Sequence, residues 1–170
     1  LIRRGASVYG FDPTPKSAAY VEARRALKVG PGNFYHTKEG LWTEDTTLQF
    51  TLPDNPEHVS VRAGEHDTSQ GTISLKVNTL SNFLAANGHS KIDILKMDVE
   101  GAEYGVLEQL LSTNCFPFEQ LLVEFHHRFF ESGKEKQDLL LLKMLNSGFA
   151  ISRNENNQEI SFRKVYKREM

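Results

Sequence analysis

Residues 92–111 read IDILKMDVEGAEYGVLEQLL, a strand-type run delivered through a glycine directly into a helix-type run. IDILKM is β-like, Gly101 opens a turn, and Ala102, Val106, Leu107, Leu110 and Leu111 recur at helical spacing. A strand feeding straight into a helix is the unit of α/β folds, and the pattern recurs along the chain. SVYGF ends at Asp12 and leads into PTPKSAAYVEARRAL, where Thr14 is placed to cap a helix and Pro15 to begin it. Ala18, Ala19, Val21, Ala23, Ala26 and Leu27 give that helix an apolar side, and GPG at 30–32 stops it. NFYHT and QLLVEF (120–125) read as strands, and NTLSNFLAANG as a short helix capped by Asn78 or Thr79 and closed by Gly88. KEKQDLLLLKMLNSG reads as a longer helix whose apolar run at 139–145 predicts full burial.

Between these units lies a polar stretch with alternating runs at 47–52, 58–62 and 72–77, an excursion of small strands with a mobile loop at 64–71. The end, FAISRNENNQEISFRKVYK, is two alternating runs about an asparagine-rich turn, hence a β-hairpin. Together these predict an α/β, doubly wound, mostly parallel sheet with helices on both faces and a C-terminal antiparallel hairpin at one edge.

A length of 170 residues suits a single domain spanning 1–170. With 20 Lys and Arg against 22 Asp and Glu, the net charge of −2 argues against nucleic acid or an anionic membrane as partner. The single cysteine, Cys115, forbids an internal disulfide, and no apolar run approaches the ~20 residues of a membrane span, so a cytoplasmic setting is expected. LIRRGA reads as the last turn of a helix closed by Gly5, with basic residues where the macrodipole favours them. A helix that ends here predicts further sequence upstream. An open strand edge would then favour association with further copies of the chain.

In open parallel sheets, ligands bind beyond the carboxyl ends of the strands, and three acidic sites fall there. Asp12 ends the first visible strand, where a carboxylate can accept both hydroxyls of a ribose, or can simply make a turn beside Pro13. Asp98 and Glu100 share a side if strand geometry persists to 100, and Lys96 shares that alternation and could neutralise Asp98. Glu103 falls in the first helical turn, where the macrodipole gives it a structural reason to be acidic. Glu124 and His126 repeat the same-side spacing on the next strand and should converge with Asp98. A histidine there could accept a hydroxyl proton, could join the carboxylates in holding a divalent metal, or could merely end a strand among Phe125, Phe129 and Phe130.

KMDVEGAE after IDIL, with VYGFDPTP upstream and LLVEFH downstream, resembles the FkbM family of S-adenosylmethionine-dependent methyltransferases over nearly the whole chain. TLSNFL at 79–84 agrees with the helix that precedes the central strand, and the terminal hairpin with the class I methyltransferase variant of the doubly wound fold. Ser81 stands where the family commonly has an acid, and Asp12 where it often has Glu. The family's first strand and glycine-rich loop are missing here, so an N-terminally incomplete domain is expected.

The resemblance implies S-adenosylmethionine as cofactor and methyl transfer to a hydroxyl oxygen of a small molecule or glycan. Asp12 would hold the ribose; Glu39, Gly40 and Leu41 would border the adenine; Asp98 and Glu100 would face the methionine end or the acceptor. Asp98 or His126 would be the base, Glu124 and His126 would contact the acceptor, and no residue is assigned to a metal. Acceptor specificity would lie in the polar stretch at 43–77. Two other readings remain: a non-catalytic binding domain of the same fold, and a metal-dependent hydrolase built on Asp98, Glu100, Glu124 and His126.

Overall fold

The computed structural model describes residues 1–24, 30–52, 62–63 and 71–166, with residues 62 and 63 as backbone alone. They belong to two compact units, Leu1–Thr79 and Leu80–Met170.

In the first unit Ile2–Arg4 form one 3-10 turn, and Gly5 closes it in the left-handed conformation with its N–H on the Ile2 carbonyl. Strand β1 (Ser7–Phe11) is followed by helix α1 (Pro15–Arg24) and strand β2 (Asn33–Thr37). β1 and β2 pair in parallel from Ser7 opposite Asn33 to Phe11 opposite Thr37. Thr14 caps α1 as its sequence position predicts: Oγ1 accepts the Ser17 N–H at 3.3 Å and the carbonyl accepts that of Ala18. A second sheet holds β3 (Gly40–Leu41), β4 (Thr46–Thr51), β5 (Arg62–Ala63) and β6 (Thr72–Asn78) in the order β3-β6-β4-β5. Its core is Phe50, Leu75 and Val77, with Trp42, Leu48 and Ile73 packed against them. The runs expected at 47–52 and 72–77 are β4 and β6. Most of the run at 58–62, most of the loop at 64–71, and Ala26 and Leu27 lie outside the described residues.

The second unit contains α2 (Leu80–Ala86), β7 (Ile92–Met97), α3 (Glu103–Thr113), β8 (Phe118–Glu124), α4 (Gly133–Asn146), β9 (Phe149–Glu155) and β10 (Glu159–Lys164). Its sheet order is β7-β8-β10-β9, with β7 parallel to β8 and β10 antiparallel to both neighbours. The terminal hairpin therefore forms as expected, with its second strand seated beside β8. Met97, Leu107, Leu121, Met144, Ile160 and Phe162 are buried at the centre of this unit's apolar core.

Two expectations change. The sheets are mixed rather than mostly parallel: among the described residues three strand pairs are parallel and four antiparallel. In the polar middle segment β4 pairs antiparallel with both β5 and β6, which supplies two of the four antiparallel pairs. The leucine run of α4 is only partly covered. Leu140 and Met144, four residues apart, are buried, whereas Leu139 and Leu142 are 52% and 58% exposed, because a seven-residue run passes around the whole helix.

Candidate active site

β7 and β8 run in parallel, so the residues after Met97 and Glu124 share the sheet edge where such sheets take ligands. Strand geometry stops at Met97, and Glu100 and Gly101 have φ of 50° and 105°. Alternation therefore does not carry Asp98 and Glu100 to one side; a tight left-handed turn does. Gly101 suits the turn because its φ is unfavourable for other residues, and a Cβ there would also sit tightly, 3.2 Å from the Phe130 ring.

The turn aims both carboxylates at His126. Its Nε2 lies 3.4 Å from Glu100 Oε2, 3.8 Å from Asp98 Oδ1 and 3.9 Å from Glu124 Oε1. The convergence expected of Asp98, Glu100, Glu124 and His126 is thus the geometry found. His126 follows the fully buried Phe125, is itself only 1% exposed, and stacks on Phe129 with ring centroids 5.2 Å apart.

Glu103 organises this arrangement. It is completely buried, and its Oε1 accepts the His126 backbone N–H at 2.7 Å and lies 3.2 Å from His126 Nδ1. Its Oε2 accepts the Gly101 N–H at 2.8 Å. An ionised carboxylate only accepts hydrogen bonds, so Nδ1 carries a proton and Nε2 is left to face the other three acids. Burial disfavours a charged His126, but the Glu103 hydrogen bond and the charges of Glu103 and Glu100 outweigh it and hold the imidazole above its ordinary pKa.

The macrodipole explanation for Glu103 captured its place and missed its work. The signal was present: Glu103 leads the stripe Val106, Leu107 and Leu110 at i+3, i+4 and i+7, all buried. A carboxylate on the apolar stripe of a helix has to have buried partners. Lys96, by contrast, is exposed and makes no ion pair with Asp98. Among the described residues no Lys or Arg lies within ion-pair distance of Asp98, Glu100 or Glu124. One oxygen each of Asp98 and Glu124 and one nitrogen of His126 lie within 4.8 Å of one another, close enough to hold a metal ion together.

In the first unit Asp12 follows β1, and its Oδ1 accepts both the N–H and the hydroxyl of Thr14, at 2.8 and 2.7 Å. Glu39 accepts from Lys76 Nζ at 2.8 Å on one oxygen and from Asn78 Nδ2 at 3.2 Å on the other. The lysine hydrogen bond holds the Glu39 carboxyl below its ordinary pKa. Gly40 is buried, and a Cβ there would meet the Pro13 ring at 3.1 Å and Val77 at 3.2 Å. The turn after β1 therefore packs on β3, bringing Asp12 and the Glu39–Leu41 segment to one end of the β1–β2 pair.

A human protein named probable methyltransferase-like protein 24 is 28% identical over 127 residues, 74% of this chain and 28% of its own length. Its rat counterpart is 28% identical over 123 residues, covering 72% of this chain and 27% of that protein. The chain thus spans little more than a quarter of the length of the curated relatives it matches. No solved structure matches. The model of the methyltransferase FkbM domain matches residues 2–151, and the chain belongs to that family.

Proposed function

We propose that this chain acts as one methyltransferase-like domain that transfers a methyl group from S-adenosylmethionine to a hydroxyl oxygen of a small molecule or glycan. The observation that carries the reading is the buried His126, ringed by Asp98, Glu100 and Glu124 at the carboxyl ends of two parallel strands in an FkbM chain. The cofactor, when bound, supplies an electrophilic methyl group on a sulfonium.

Of the residues expected to hold it, Asp12 fits in part. It is only partly buried and Thr14 engages one oxygen, which leaves Oδ2 for a ribose hydroxyl. Glu39 fits poorly as an acceptor, because Lys76 and Asn78 engage both of its oxygens. Gly40 and Leu41 would offer backbone and an apolar side chain beside the adenine. Among the described residues β7 pairs only with β8, and a further parallel strand along its other edge, with a glycine-rich turn, would complete the doubly wound reading.

The acceptor hydroxyl must lose a proton. Asp98, 43% exposed, can meet that hydroxyl, whereas His126 is enclosed and tied to Glu103. Asp98 is therefore the base and His126 positions the carboxylates around it. Glu100 and Glu124 would hold the acceptor's neighbouring hydroxyls, and alignment of acceptor with the methyl carbon supplies much of the rate. No described helix is long and apolar enough to cross a membrane, and a cytoplasmic setting, with self-association of the chain, remains part of the proposal.

Calorimetric titration of the protein with S-adenosylmethionine tests the reading. Saturable binding, weakened in Asp12→Ala, is expected. No binding at near-millimolar cofactor would overturn it in favour of a non-catalytic binding domain.

A further inference from the structure

We propose that Asp98, Glu124 and His126 form a binding site for one divalent cation of the Mg²⁺ and Mn²⁺ class. This departs from the metal-free assignment made from the sequence.

The first argument is how His126 is wired. Its side chain is 1% exposed, and Nδ1 is committed to Glu103, a carboxylate with no exposure at all. Nε2 is aimed into the carboxylates, 3.4 Å from Glu100 Oε2 and 3.8 and 3.9 Å from Asp98 Oδ1 and Glu124 Oε1. Metal-binding histidines characteristically donate their second ring N–H to a carboxylate or carbonyl, which fixes the tautomer and strengthens the ligating nitrogen.

The second argument is spacing. The Nε2 to oxygen distances of 3.8 and 3.9 Å are too long for hydrogen bonds. An ion of this class holds donors at ~2.1 Å, which puts neighbouring donors at right angles ~3 Å apart. A contraction of under about 1 Å would therefore close the set around an ion. An imidazolium alone accounts less well for the gap, since neither Asp98 nor Glu124 is drawn within hydrogen-bond distance of Nε2.

The third argument is charge. Three acids face one imidazole with no lysine or arginine paired to them among the described residues, and Glu159 stands directly opposite Glu124 across the sheet. Like charges so placed repel, and a divalent cation is what would offset them. Oxygen-rich ligands with one imidazole favour Mn²⁺ or Mg²⁺ over the metals that prefer thiolate. Glu103 also ties the Gly101 turn to the backbone of His126, just past β8, through its two oxygens.

The role of the ion rests on the methyl-transfer reading: it would take the acceptor's hydroxyl oxygen at an open position. Asp98 would ligate through Oδ1 and keep Oδ2 for the hydroxyl proton. Binding itself does not depend on that reading and can be measured with Mn²⁺ alone, without cofactor or acceptor.

Paramagnetic resonance of free Mn²⁺ titrated with the protein should show one saturable site per chain. Asp98→Asn and Glu124→Gln, at partly exposed positions, should keep the native circular dichroism spectrum and each weaken binding at least about tenfold, and Glu103→Gln should weaken it ~10–100-fold through His126. Absence of saturable binding up to millimolar Mn²⁺ would overturn the site, as would undiminished binding in the Asp98→Asn, Glu124→Gln double variant. Mn²⁺ binding without S-adenosylmethionine binding would keep the site and drop the transfer reading, and the converse would drop the site alone.

Discussion

Asp12 and Glu39 in the first unit, and Asp98, Glu100 and Glu124 in the second, are all acids at or just beyond strand ends, and they are held in opposite ways. Asp12 accepts two hydrogen bonds from Thr14, and Glu39 is paired with Lys76 and Asn78. Among the described residues the second group has no lysine or amide donor so paired. Its acids share one imidazole, which is held from behind by a fourth acid, Glu103. The difference teaches that an acid's position at a strand end does not reveal whether it is available; its partners do. In the first unit local donors complete the carboxylates, whereas in the second three carboxylates are brought together and left incomplete.

The largest test of that contrast is Glu103. Replacing it with Leu removes the acceptor for two backbone N–H groups and leaves the buried His126 without its counter-charge. Breaking a buried charged pair in this way costs about 3–5 kcal/mol. Urea denaturation should show a loss of that size for Glu103→Leu, while Glu100→Gln, 20% exposed and outside the hydrogen-bond framework, should change stability little. Equal effects from the two would dissolve the distinction between the acid that builds the site and the acids it presents.

How much of this was legible follows from the same residues. Thr14 as cap, Gly5 as stop and IDILKM as strand depend on local chemistry, and local chemistry is what a sequence displays directly. The meeting of Asp98, Glu100, Glu124 and His126 was also foreseeable, because parallel strands place their carboxyl ends side by side. The means was not: Glu100 arrives through a left-handed turn that alternation does not describe. The role of Glu103 depends on a partner 23 residues away, and the pairing of Glu39 with Lys76 on one 37 away. Such partners are set by tertiary packing, which spacing along the chain does not reveal. The exposed face of α4 was misread for the opposite reason, since an apolar run was taken as evidence of burial on every side.

A smaller effect separates the two uses of Asp12. Asp12→Ala strips Thr14 of the acceptor for its N–H and hydroxyl, just before the first turn of α1, and should cost about 0.5–2 kcal/mol, as loss of a comparable cap does. Asp12→Asn retains an acceptor oxygen and should recover most of that stability. If Asn restores folding and leaves S-adenosylmethionine affinity reduced, the carboxylate serves both turn and ribose. Recovery of both together would reduce Asp12 to a turn residue.

The smallest effect belongs to Glu39 and Lys76, a pair with the lysine well exposed. Lys76 holds the Glu39 carboxyl below its ordinary value of 4.5, so the contribution of Glu39 is present above that value and is lost as pH falls through the lowered native one. Lys76 mirrors it: Glu39 raises its pKa above 10.5, and that contribution is present below 10.5 and lost as pH rises through the raised native value. Stability measured against pH should therefore show the native chain and Glu39→Gln separated by a small, constant gap at neutral pH that closes on strong acidification and shrinks with added salt. A gap that survives protonation would mean that Glu39 acts through shape and its hydrogen bond with Asn78 rather than through charge. The carboxylate would then be less committed to Lys76 than its geometry suggests, and the contrast between the two groups of acids would narrow at this residue.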